Sequence, residues 1–163
     1  MQKVWIRILT TGLTLLMMGL IFFFSTEQAE QSDATSGIIS RQILQVIQPD
    51  FNELPAEEQT QLYNQVQTVV RKVAHFTEFL LLGLFLRFCL ESWFGAGHRH
   101  ISLPAFSGGA TYAMLDEWHQ TLVDGRAGQW RDVVIDSAGV LTGVLAAWWL
   151  IYRITKHKKA DDL

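Results

Sequence analysis

From Ile8 to Phe24 the chain reads ILTTGLTLLMMGLIFFF, with no ionisable side chain anywhere in the run. A helix of about 20 mainly apolar residues spans the hydrocarbon core of a bilayer, and soluble core helices rarely continue that far without a charge. Three more segments approach this length. Val73 to Leu90 is apolar except for His75, Glu78 and Arg87, and Val133 to Tyr152 carries only Asp136 before its end. The weakest, Ile101 to Trp118, is rich in Gly and Ser and closes on Asp116 and Glu117. The expected fold is an all-α polytopic membrane protein of one domain over residues 1–163. Its four transmembrane helices fall at about 6–24, 73–90, 101–118 and 133–152. Composition agrees: 18% of residues are charged, against roughly 25% in soluble domains.

Lys3 and Arg7 ahead of an apolar run also open secretory signal peptides. Here the run is longer than a signal core, ends on bulky Phe22, Phe23 and Phe24, and precedes no small-x-small cleavage site, so an uncleaved first span is expected. Orientation follows from the bias of Lys and Arg towards cytoplasmic loops. With the N-terminus inside, the inner segments hold eight of the 13 Lys and Arg but three of the 16 Asp and Glu. Both termini are therefore expected in the cytoplasm, with Trp5, Trp93, Trp148 and Trp149 at inner span ends and Trp118 and Trp130 at outer ones. Cys89 has no second cysteine to pair with. No nucleic-acid partner and no cofactor are expected, and the sequence specifies no oligomeric state.

Residues 25–72 form the expected external segment. Ile39, Ile43, Val46 and Ile47 recur at helical spacing, predicting an amphipathic helix in the membrane interface that Pro49 and Asp50 end. Pro55 with Glu57 and Glu58 reads as a new helix start. From there Leu62, Val66 and Val69 lead into the second span without a breaker, so that helix is expected to project above the bilayer. His98 and His100 sit on a short, glycine-punctuated inner loop and are not taken as a metal site.

An ionisable group inside a bilayer costs several kcal/mol unless paired or hydrated, which makes each one a functional candidate. Steps of three place Lys72, His75 and Glu78 on one face of the second span. Asp116 and Gln120 share a face of the third, continued inward by Gly109 and Tyr112, with Glu117 and His119 beside them. After Asp124-Gly125, Arg126 and Arg131 lead into the fourth span, where Asp132 and Asp136 precede Gly139 and Gly143 on one stripe. Small residues so spaced let helix backbones approach closely. Arg126 and Arg131 lie on the outer side against the charge bias, where they are expected to neutralise Asp116, Glu117, Asp132 or Asp136, or to hold an anionic ligand.

The stretches Lys72-Val-Ala-His75-Phe-Thr-Glu78-Phe79, Asp116-Glu117-Trp118-His119-Gln120, Gly125-Arg126 and Asp132-Val-Val-Ile-Asp136-Ser-Ala-Gly139 resemble the VanZ-like family of bacterial membrane proteins. Phe24-Ser25 followed by Gln28 adds to that resemblance. It covers nearly the whole chain, with one departure: asparagine is common in the family where this chain has Asp136. The resemblance implies a plasma-membrane protein acting in the cell envelope at the outer face, with a link to antibiotic resistance through tolerance of teicoplanin. Three functional readings arise.

In the first, the protein binds an anionic envelope lipid or cell-wall precursor. Lys72, Arg126 and Arg131 hold its phosphate, and Ser25, Gln28, Glu117, Gln120, Asp132 and Asp136 complete the site. In the second, it is an intramembrane enzyme with His75 as base or nucleophile, oriented by Glu78 or Asp116. A metal variant of that reading uses His75, Glu78, Asp116 and Asp132 as ligands, a weak signal, and no metal is assigned. The third, a transporter, is disfavoured because the inner half offers only Thr142 and glycines as polar lining.

Overall fold

The structure, a computed structural model, describes residues 2–26, 29–95, 99–123 and 128–161. Gln28, His98, Asp124, Gly125 and Arg126 lie outside the described residues. Five α-helices follow one another: α1 (Gln2–Ser25), α2 (Ala29–Ile47), α3 (Ala56–Phe94), α4 (Ser102–Gln120) and α5 (Trp130–Asp161). The described residues contain no strand.

Helix α3 is the axis of the molecule. Pro55 caps its start with extended backbone, Glu57 and Glu58 fill the first turn, and the helix runs without a proline, and unbroken through Gly83, to Gly95. Gly95 stops it at φ 98°, a left-handed conformation that favours glycine, and donates its N–H to the Glu91 carbonyl. Its 39 residues measure about 58 Å, roughly twice the hydrocarbon thickness of a bilayer. A helix of this length exceeds what one crossing of a bilayer requires.

Helix α2 folds back along the N-terminal half of α3. Gln67 donates to the Ser36 hydroxyl at 3.3 Å and the Arg41 guanidinium lies over the Tyr63 ring, so higher numbers on α2 meet lower numbers on α3 and the pair is an antiparallel hairpin. Ser36, Gly37, Ser40 and Leu44 form the buried face. The helix expected around Ile39 to Ile47 exists and starts earlier, at Ala29. The four residues that predicted it, Ile39, Ile43, Val46 and Ile47, are exposed. Small polar residues make the contact because they allow close backbone approach.

The other helices form a bundle around the lower part of α3. Thr10 and Thr11 of α1 bond to Ser92 and Cys89 of α3, making α1 antiparallel to α3. Tyr112 of α4 donates to the Met18 carbonyl of α1 at 2.7 Å. Between α3 and α5 the fit is backbone to backbone: a Cβ on Gly139 would fall 2.5 Å from the Phe76 carbonyl, and one on Gly143 would overlap that of Leu80. Gly83 returns the contact against Val140. Phe76 with Gly139 and Leu80 with Gly143 rise together in number, so α3 and α5 run parallel. The stripe expected from Gly139 and Gly143 serves this close packing.

Met17, Ile21, Phe79, Leu82, Ala105, Ala113, Val140 and Val144 make one buried core. Outside it the pattern of a soluble protein is reversed, with Trp5, Leu9, Leu16, Phe23, Leu115 and Trp149 all largely exposed. Among the described residues, three helices are long and apolar enough to cross a membrane: Lys3–Ser25, Ala56–Phe94 and Trp130–His157. The third expected span is a helix, α4, but its Gly, Ser and acidic content keeps it out of that set.

Candidate functional site

At one end of the bundle, the C-terminal ends of α1 and α4 meet the upper part of α3 and the start of α5. Lys72 of α3 binds Asp132 of α5 at 2.5 Å, and the pair is half-open, with side chains 36% and 32% exposed. One turn further along α5, Asp136 is fully buried. Its carboxylate stands 3.9 Å from His75 Nδ1, beyond hydrogen-bond distance. Neither Asp136 oxygen accepts a hydrogen bond. Asp116, Glu117, Asp132 and Glu78 all lie within electrostatic range of it.

Asp116 is buried on α4, oriented by Gln120, whose amide donates to Oδ2 at 3.0 Å. The hydroxyl of buried Ser25 on α1 adjoins the Asp116 carboxylate and is placed to donate to it. His75 and His119 are also near Asp116, and His119 stacks at a tilt on Phe22, ring centres 4.8 Å apart. Gly109 and Asp116 are buried on the same face of α4, with Tyr112 half-buried between them, as their spacing predicts.

The structure therefore brings together Ser25, Lys72, His75, Glu78, Asp116, Gln120, Asp132 and Asp136. His75 Nδ1 lies 3.9 Å from Asp136, and His75 is also near Asp116, one of its two expected partners. Arg131 neutralises none of the acids: it is exposed, lies over the Trp130 ring at 5.9 Å, and makes no ion pair among the described residues. Lys72 takes that part towards Asp132. Glu117 holds backbone, accepting from the Gln129 N–H at 2.5 Å and so fixing the entry to α5. The set His75, Glu78, Asp116 and Asp132 does not converge as metal ligands, since no three His, Cys, Asp or Glu among the described residues stand close enough to share an ion.

The matching family model, VanZ/LLP1, covers residues 10–152. The chain belongs to the VanZ/LLP1 family. No curated protein and no solved structure matches it. Family membership and three helices suited to crossing a membrane together mark it as a membrane protein. The matched span includes every residue of the cluster, together with Gln28 and Arg126.

The opposite end of this VanZ/LLP1 bundle holds polar groups that the sequence reading missed. Arg87 is fully buried and pairs with Glu91 one turn on. Thr10, Thr11 and Ser92 line the neighbouring α1–α3 seam, and Arg7 donates to the Ser92 carbonyl at 3.0 Å. The inner half is thus more polar than Thr142 and glycines. The Arg–Glu spacing of four, which puts both side chains on one helical face, was the available signal.

Proposed function

We propose that this VanZ/LLP1-family protein is a four-span protein of the bacterial plasma membrane that binds a phosphate-bearing envelope lipid or cell-wall precursor at its extracytoplasmic end. Parallel α3 and α5 support the fourth span: two parallel crossings need a return between them, and α4 lies alongside both. Its 19 residues measure about 28 Å, close to the hydrocarbon thickness. Both termini then face the cytoplasm, and the α2–α3 hairpin stands outside.

One observation carries the binding reading. The half-open Lys72–Asp132 pair sits at the mouth of a cluster whose deeper members, Asp116 and Asp136, are buried. Asp132 holds the ammonium of Lys72 in place, and exposed Arg131 adds a second cation at the rim. Two fixed cations at membrane level suit a phosphate. Native mass spectrometry of the purified protein tests this. Wild type is expected to retain phosphorylated lipid, and the Lys72→Ala/Arg131→Ala variant to lose it about tenfold or more, as removal of charged hydrogen bonds requires. Equal retention by both removes the reading. A link to teicoplanin tolerance predicts greater susceptibility when the gene is deleted, and unchanged susceptibility removes that link.

The enzyme reading gains one feature, a histidine beside a buried carboxylate, His75 with Asp136. That arrangement orients a general base. If it acts so, incubation with the retained lipid yields a product that His75→Gln abolishes; an unchanged lipid leaves binding alone.

A further inference from the structure

The membrane-level site is basic at its rim and acidic at depth. Asp136, fully buried on α5, has two carboxylate oxygens without a hydrogen bond. Asp116 on α4 adds Oδ1, which lies beside the buried hydroxyl of Ser25 on α1, a donor to that carboxylate whose own oxygen can still accept. Buried polar groups are almost always hydrogen-bonded, and an unsatisfied buried carboxylate is strongly unfavourable. Here three helices turn such acceptors into one region, with Asp136 and Asp116 in electrostatic range of each other. The neighbouring cations do not satisfy them: Lys72 is engaged with Asp132, and His75 stays 3.9 Å from Asp136.

A ligand for this region needs positive charge and several donors. No three His, Cys, Asp or Glu among the described residues stand close enough to share a metal ion. A primary ammonium brings three N–H donors in three directions and no acceptor, which suits acceptors spread over separate helices. Its distance from the rim is also set. Asp136 lies one turn beyond Asp132, about 6 Å along α5, a step that a two- or three-carbon linker between phosphate and nitrogen covers.

We infer that Asp136, Asp116 and Ser25 receive the primary ammonium of a zwitterionic lipid headgroup whose phosphate lies at the Lys72–Arg131 rim. This deepens the lipid-binding proposal and rests on it. The acid-rich interior then selects among phospholipids that the rim alone would accept equally.

Three phospholipids of matched chains separate the possibilities, offered together in equal amounts to the detergent-purified full chain: phosphatidylethanolamine, phosphatidylcholine and phosphatidylglycerol. The first two are zwitterions that differ in N–H donors, and the third lacks nitrogen. Wild type is expected to retain the ethanolamine lipid over the choline lipid by about tenfold, the factor for lost charged hydrogen bonds. Asp136→Asn, which keeps shape and removes charge, should bring that ratio close to one while total phospholipid retention persists. Should Asp136→Asn fail to fold, Ser25→Ala reads the same ratio and is expected to lower it. Equal retention of all three lipids by wild type overturns the ammonium inference and leaves the phosphate reading standing. An ethanolamine preference untouched by Asp136→Asn or by Ser25→Ala also overturns it. Retention of none of the three overturns both.

Discussion

Arg87 and Asp136 pose the same problem at opposite ends of one bundle, a charged side chain with no access to water. Arg87 is answered within its own helix by Glu91, one turn away. Removing one member of a buried pair costs about 3–5 kcal/mol, because the other charge loses its compensation. Arg87→Met is therefore expected to destabilise the detergent-solubilised protein by about 3 kcal/mol in denaturant titration. A variant as stable as wild type would show that the pair holds nothing together. Asp136 has no such partner, which is why function is sought there. The spacing of Arg87 and Glu91 was readable from the sequence, but the meeting of His75 with Asp136 was not. That contact crosses from α3 to α5, and its register is set by Gly139 and Gly143 against the carbonyls of Phe76 and Leu80. The same glycines support a paired prediction. Gly143→Ala drives a methyl group into backbone and should cost about 1–3 kcal/mol, as overpacking does. Gly108 has open space around it, so Gly108→Ala should be neutral or stabilising by up to about 1 kcal/mol through helix propensity. Thermal unfolding of the two variants side by side measures the contrast.

At the scale of elements, apolar run length made α1, α3 and α5 legible, because a bilayer-length stretch without charge has few other uses. Helix α4 was legible as a helix but not by apolarity. Its acids and small residues serve the site and the packing, and both dilute the signal that lipid contact would give. The hairpin was half legible. Continuity from Pro55 into the second span gave the length of α3, whereas Ser36, Gly37 and Ser40 look like a solvent face until they are seen against Gln67 and Tyr63. Leu44 is the one large apolar side chain of α2 that is fully buried. Leu44→Ala should therefore loosen the hairpin by about 3 kcal/mol, within the range for buried leucines. Amide hydrogen exchange should accelerate in α2 and in residues 56–67 while α5 keeps its protection. Faster exchange throughout the bundle would mean that the hairpin and the spans unfold as one unit.

For the whole molecule the decisive property is the direction in which each helix runs. Thr11 beside Cys89 makes α1 antiparallel to α3, and the glycine contacts make α5 parallel to it. If α1, α3 and α5 all cross the membrane, the chain must return between the last two, and α4 is the segment in position to do so. That argument needs no apolar run, so it extends to a helix that hydropathy alone does not mark. With the N-terminus inside, as proposed, four crossings put the hairpin outside and the C-terminal end of α5 inside, whereas three crossings would put both outside. Single cysteines placed in a Cys89→Ser background distinguish these cases, since no other thiol is present. Gln61→Cys, on the exposed side of the hairpin, should react with a membrane-impermeant maleimide on intact cells. His157→Cys, exposed near the end of α5, should react only after permeabilisation. Labelling of both on intact cells would remove α4 as a crossing and, with it, the location of Asp116 at an outward-facing site. The reverse pattern would turn the molecule over and place the Lys72–Asp132 mouth at the cytoplasmic leaflet.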